Sequence, residues 1–222
     1  MRVKEVNGVV VPYDKSSEEL EIMLSNGNMS DFTVACEALS YKTDVKSFEL
    51  LKKYATNKDK FKRLIILKTI FRHPNSIILK DFLIEGILSD DILFAENGLK
   101  TAFEYDIEIS DNIILISVFK HFENLYCNSL YILKKVAKNE ENFLKIVELF
   151  NKSDVSGQKE VLCETLSEKY LPEKAEILFE LFAKDKFSKI RLIAVKIGKK
   201  YGFDISRFYT DLDGHVKNAL RI

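Results

Sequence analysis

The chain is expected to fold as an all-α array of about six stacked helical hairpins, an α-solenoid. Three observations carry that expectation. Acidic or amide residues able to cap a helix recur at nearly one interval: Asp31, Asp59, Asp91, Asn124, Asp154, Asp185 and Asp213, with gaps of 28, 32, 33, 30, 31 and 28 residues. A period in this range marks repeat architectures, in which each unit buries its apolar face only against its neighbours. Each of the seven residues precedes a run of apolar residues at helical spacing. Finally, 3 Pro and 8 Gly are few for 222 residues, which favours long helices and short turns over a β-sandwich.

The elements follow in order. Residues 1–14 read as a separate short strand or extended arm, because Val9, Val10 and Val11 are β-branched, Asn7-Gly8 marks a turn and Pro12 ends the run. Residues 15–222 read as one continuous domain, since no Gly/Ser linker or low-complexity tract interrupts them. Ser16 and Glu19 form an S-x-x-E capping box that opens the first helix. The first helix of each hairpin is expected at about 17–25, 43–55, 75–88, 110–122, 141–152 and 173–184. The second is expected at about 30–40, 58–73, 90–105, 125–138, 155–170 and 186–201. Within 58–73, Phe61, Leu64, Ile65, Leu67 and Ile70 give the i, i+3, i+4 stripe; within 186–201, Ile190, Ile193, Ala194 and Ile197 repeat it. Leu192 and Val195 widen that stripe, as an interior layer covered on both sides requires. Pro74 and Pro172 fall between hairpins, where each is expected to open the next helix at its first position.

The ends of the array need polar outer surfaces. Helix 17–25 carries Glu18, Glu19 and Glu21 and suits a cap, with residues 1–14 covering its remaining edge. At the other end, Phe203, Ile205, Phe208 and Tyr209 mark a weak helix over 203–212, and a last helix at about 213–221 is expected to pack down as a cap and leave a monomer.

Near the C-terminus the chain reads Asp185-Lys-Phe-Ser-Lys-Ile-Arg191-Leu-Ile-Ala194-Val-Lys-Ile-Gly198. This resembles the D-x-x-x-x-V-R-x-x-A-x-x-x-x-G signature of the HEAT-repeat proteins, in their short bacterial form, with Ile190 in the Val place. Asp211 to Lys217 and the following Asn218-Ala219-Leu220 echo it. The resemblance implies a right-handed α-α superhelix of HEAT or armadillo type. It also implies that Arg191 and Lys217 belong to a ladder of charged residues holding successive repeats in register. The other repeats depart from the motif: Glu37, Asn97 and Glu160 stand six residues after Asp31, Asp91 and Asp154.

Composition excludes several function classes. No stretch approaches the ~18 apolar residues of a membrane span, and the Val run near the N-terminus is too short for a signal peptide. Cys36, Cys127 and Cys163 are widely spaced, odd in number and on apolar helix faces, which points to a reducing, cytoplasmic location and to packing. Nucleotide-binding, metalloprotease and hydrolase motifs are absent. His73, His121 and His215 are scattered; the first two fall near helix C-termini, where the dipole favours a cation. Asp90-Asp91 and Asp211-Asp213 flank helix starts and read as caps. Glu160, Glu164 and Glu168, at i, i+4 spacing, read as a solvated face. The sequence thus indicates neither an enzyme nor a cofactor.

Charge divides unevenly although the chain is neutral overall, with 34 basic and 34 acidic residues. The second helices together with the last helix carry a net +9 over their expected ranges, and the first helices are net negative. In HEAT-like arrays the second helices line the concave side, so the resemblance implies a basic concave face that attracts acidic ligands. The expectation is a non-enzymatic scaffold that binds a protein or peptide there through Lys60, Lys68, Lys134, Lys138, Lys189 and Lys196. The alternative is a nucleic-acid-binding or DNA-repair repeat protein similar to the alkylpurine DNA glycosylases. Against it stand the neutral charge and the absence of Trp.

Overall fold

A computed structural model describes residues 5, 6 and 8–220 of the chain. Among these residues the fold is all-helical apart from one two-stranded hairpin, β1 (Glu5–Val6) antiparallel to β2 (Val9–Val10). Gly8 takes φ 76° in its turn, a conformation that favours glycine. Residues 1–4 and Asn7 of the expected arm and its turn, Arg221 of the expected last helix, and Ile222 lie outside the described residues. The α-helices are α1 (Ser17–Asn26), α2 (Met29–Ser40), α3 (Val45–Ala55), α4 (Lys60–Thr69), α5 (Lys80–Leu88), α6 (Ile92–Glu104) and α7 (Asp111–His121). They continue with α8 (Glu140–Lys152), α9 (Ser156–Tyr170), α10 (Ala175–Ala183), α11 (Ser188–Tyr201) and α12 (Gly214–Ala219).

These elements form two compact units, Met1–His121 and Phe122–Ile222. The division falls at the end of α7, where no change in composition signals it. In the first unit, α1 with α2, α3 with α4 and α5 with α6 pack as pairs. The second members also pack side by side, α2 on α4 and α4 on α6, while α1 touches α3 and α5 touches α7. The β-hairpin lies against α2 rather than over α1. In the second unit, α8 pairs with α9 and α10 with α11, and α9 packs on α11 and α11 on α12.

Local signals explain the helix boundaries. Ser16 and Glu19 form the reciprocal capping box at α1. Asp59, Asp91 and Asp213 each accept backbone N–H groups at the start of α4, α6 and α12. The remaining members of the periodic series do other work. Asn28, not Asp31, caps α2, and Asp31 is the third helical residue that bonds back to the cap. Asp154 pairs with Lys186, and Asp185 accepts from Phe187 N–H at 2.9 Å. Asn124 ends a 3₁₀ turn. The expected helix 125–138 is a nine-residue 3₁₀ segment, Cys127–Lys135, without a side-chain cap. Pro74 and Pro172 sit in turns that precede 3₁₀ segment Ser76–Leu79 and α10, so neither occupies a first helical position. Gly202, at φ 77°, closes α11 in the left-handed conformation. At the C-terminal end, Phe208 and Val216 are buried, so the 3₁₀ segment Ser206–Thr210 and α12 pack down onto the second unit.

Ties between neighbouring pairs share the sequence period. Lys46 reaches Glu18, Lys120 reaches Asp90, Lys186 reaches Asp154 and Arg207 reaches Glu180, across 27 to 32 residues. Polar side chains also satisfy carbonyls of the preceding pair. Ser117 donates to Ile87 O, and Gln158 donates to Phe122 O and Leu125 O at 3.0 Å. The Lys169 ammonium donates to Lys134 O and Val136 O, around the end of the 3₁₀ segment. The last carbonyls of a helix lack internal partners, so these bonds answer a need the backbone creates.

Candidate functional site

The six lysines expected to bind a partner occupy three situations. Lys60, Lys134, Lys138 and Lys189 are consumed by ion pairs. Lys60 at the start of α4 meets Asp91, the cap of α6. Lys134 meets both Glu164 and Glu168 on α9, and these bonds hold its pKa above the ordinary lysine value against the opposing effect of burial. Lys138 meets Glu173, and Lys189 on α11 meets Glu160 on α9. The row Glu160, Glu164 and Glu168 is therefore a set of anchors for the helices on either side. Lys196 is exposed and reaches no carboxylate among the described residues. Lys189 and Lys60 line two other depressions and are paired across them, whereas Lys68 lines an apolar depression and has no ion pair among the described residues.

That depression is a groove of about 510 Å³ between α2 and α4 in the first unit. From α2 come Met29, Thr33 and Glu37, at i, i+4 and i+8, which share one helix face. From α4 come Phe61, Leu64, Ile65 and Lys68, spanning two turns of a single face. Val6 of the β-hairpin closes one side, and Arg72, just beyond α4, closes an end. Phe61 is 61% exposed and Met29 43% exposed, so the groove offers apolar surface to solvent. A single exposed aromatic is ordinary; a contiguous apolar strip with a polar rim marks interaction sites. Sequence reasoning placed Phe61 in the buried stripe. The flanking Lys60, Lys62 and Arg63 were the signal that this turn of α4 faces water.

Charge within the groove is arranged asymmetrically. The buried Glu37 carboxylate takes the Arg72 guanidinium at 2.5 Å, and Arg72 also lies over the Tyr41 ring at 4.5 Å. On the neighbouring α6, Lys100 is bonded to the buried Glu96. On α4, Lys60 and Arg63 reach Asp91 and Glu85, and Lys62 lies 4.9 Å from the centroid of the Phe32 ring. Lys68 has no carboxylate partner among the described residues. Loss of water around its ammonium, with repulsion from Lys100 added, lowers its pKa.

The chemistry available elsewhere is limited. Burial pushes the thiols of Cys36 and Cys163 well up, which withholds thiolate at neutral pH. His121 donates to Ser89 O at 2.9 Å, and His73 is buried against Phe48 with Nδ1 accepting from Asn75 N–H. No group of three or more His, Cys, Asp or Glu is placed to hold a metal ion among the described residues. No helix among them is long and apolar enough to cross a membrane. Of the expected ladder residues, Arg191 makes a bidentate pair with Asp211 at 2.7 and 2.8 Å and donates to Asp185 O, while Lys217 lies near enough to Asp211 to lower its pKa further. Lys159 extends the chain of contacts backward by pairing with Asp185.

No protein-family model matches the chain, and no curated protein matches it.

Proposed function

We propose that the protein is a non-enzymatic helical-repeat scaffold, a HEAT-like α-solenoid, that binds a protein or peptide through its second helices at the α2–α4 groove. The observation that carries this reading is the grouping of Met29, Phe61, Leu64 and Ile65 in one open groove while Lys60, Arg63, Glu37 and Arg72 nearby are internally paired. Internally paired groups hold the array together. The exposed apolar strip is the part of the layer whose burial remains to be gained, at about 25 cal/mol per Å² covered.

The reading is tested by panning a random peptide display library on the purified protein. The expected result is a set of peptides whose binding is lost in Phe61→Asp, with helical content and thermal unfolding unchanged. Absence of any peptide sensitive to Phe61→Asp overturns the reading. The nucleic-acid alternative draws on one feature of the same groove, the buried Glu37 carboxylate beside Phe61 and Lys68. Its carboxylate is already bonded to Arg72, which leaves it poorly disposed for acid–base work. Salt-dependent binding of a DNA duplex in a gel shift would favour that alternative.

A further inference from the structure

We propose that the occupant of the α2–α4 groove is an amphipathic helix that places an acidic side chain on Lys68. This deepens the preceding reading and rests on it.

The helical form follows from what lines the groove. The walls are side chains of two α-helices, whose backbone N–H and C=O groups are consumed within those helices. An extended peptide would find few backbone partners there, and its own donors and acceptors would be buried unpaired. A helix brings its backbone bonds with it and needs only an apolar stripe, the mode in which helices occupy hydrophobic grooves. From Phe61 to Arg72 the α4 side of the groove covers twelve residues, whose eleven steps span about 17 Å at about 1.5 Å per step. That matches about three turns of a partner helix, enough for apolar residues at i, i+4 and i+7.

The acidic side chain follows from the charge inventory. Four other charged groups surround the Lys68 end of the groove: Arg72 and Glu37, joined to each other, and Lys100 and Glu96, likewise joined. Each of those cations already holds a carboxylate. Lys68 makes no ion pair among the described residues: it is partly desolvated by the surrounding helices, repelled by Lys100, and attracted by Glu96 without pairing to it. A carboxylate from outside would supply the partner that the described residues do not, and the apolar floor at Leu64 and Ile65 would strengthen that bond by excluding water. A basic partner would meet repulsion at the same point, so Lys68 selects the sign of the ligand as well as adding to its affinity.

The test continues the peptide selection. Among peptides that require Phe61, we expect apolar residues at helical spacing and enrichment of Asp or Glu at one fixed position. Replacing that acid by its amide should weaken binding about tenfold, the effect of one charge-assisted hydrogen bond. Lys68→Glu should weaken the same peptides by at least as much, and renewed selection against Lys68→Glu should return Lys or Arg at that position. Peptides that depend on Phe61 but show no acidic preference, and bind Lys68→Glu unchanged, overturn this inference while leaving the groove as a binding site. If no peptide depends on Phe61, both readings fall together. If light scattering shows a dimer that Phe61→Asp disperses, the occupant is a second copy of the chain, and the inference is overturned in its favour.

Discussion

Lys159→Met removes the most deeply buried cation in the second unit and offers the clearest quantitative test of how its layers are joined. Lys159 on α9 and Asp185, ahead of α11, form an ion pair with side chains 10% and 2% exposed. The Lys159 ammonium also lies 4.5 Å from the centroid of the Phe150 ring. Methionine preserves the apolar stem and deletes the charge. Asp185 then remains buried with one described bond, from Phe187 N–H. Removing one partner of a buried pair costs about 3–5 kcal/mol, because the other charge stays uncompensated. The lost cation–π contact accounts for ~1–2 kcal/mol of that. The double variant Lys159→Met/Asp185→Asn leaves no buried charge and keeps an acceptor for Phe187, so it should cost only about 1–2 kcal/mol. The assay is urea unfolding at neutral pH followed by far-UV circular dichroism. At a slope of about 2 kcal/mol per M, the single variant should lower the midpoint of the affected transition by about 2 M. Lys186→Met, which breaks the exposed pair with Asp154, is the control and should change stability by less than about 1 kcal/mol. The reasoning is refuted if Lys159→Met costs under ~1 kcal/mol, or if the double variant loses as much as the two single variants together.

Three further outcomes follow from other contacts. The guanidinium of Arg191 holds the Asp211 carboxyl below its ordinary pKa. Its folded pKa is thus lower than its unfolded one, so the contribution is complete above the unfolded value near 4 and is lost as pH falls through the folded value. Asp211→Asn should therefore lower stability by about 1–2 kcal/mol at pH 7, and thermal scans should show the gap to wild type closing below about pH 4. Gly98→Ala gains ~1 kcal/mol of helix propensity, but its Cβ would stand 2.8 Å from Ile87 Cγ1 and 2.9 Å from Ile87 N. Because backbone must yield there, calorimetry should show a net loss of about 1–3 kcal/mol. Phe61→Asp, on an exposed turn, should leave the melting temperature nearly unchanged while abolishing groove binding; a large drop would mean that Phe61 contributes to the fold rather than to a surface.

The sequence by itself determined where most helices lie and that they come in pairs. Those features depend on signals within a few residues: the Ser16–Glu19 box, the caps Asp59, Asp91 and Asp213, and apolar stripes of period 3.6. It also held a signal that charge counting by helix overlooked, namely opposite charges about 30 residues apart, as in Lys60 with Asp91 and Lys134 with Glu164. Only the tertiary structure decided which lysines remain free. An ion pair depends on lateral neighbours about 30 residues away in the chain, and a net charge summed along one helix cannot register them. The same reason explains Phe61: helical spacing says which residues share a face, but only the packing of α2, α4 and the hairpin decides whether that face is covered. The 3₁₀ form of Cys127–Lys135 and the division at His121 were likewise set by packing, because neither has a local sequence feature that demands it.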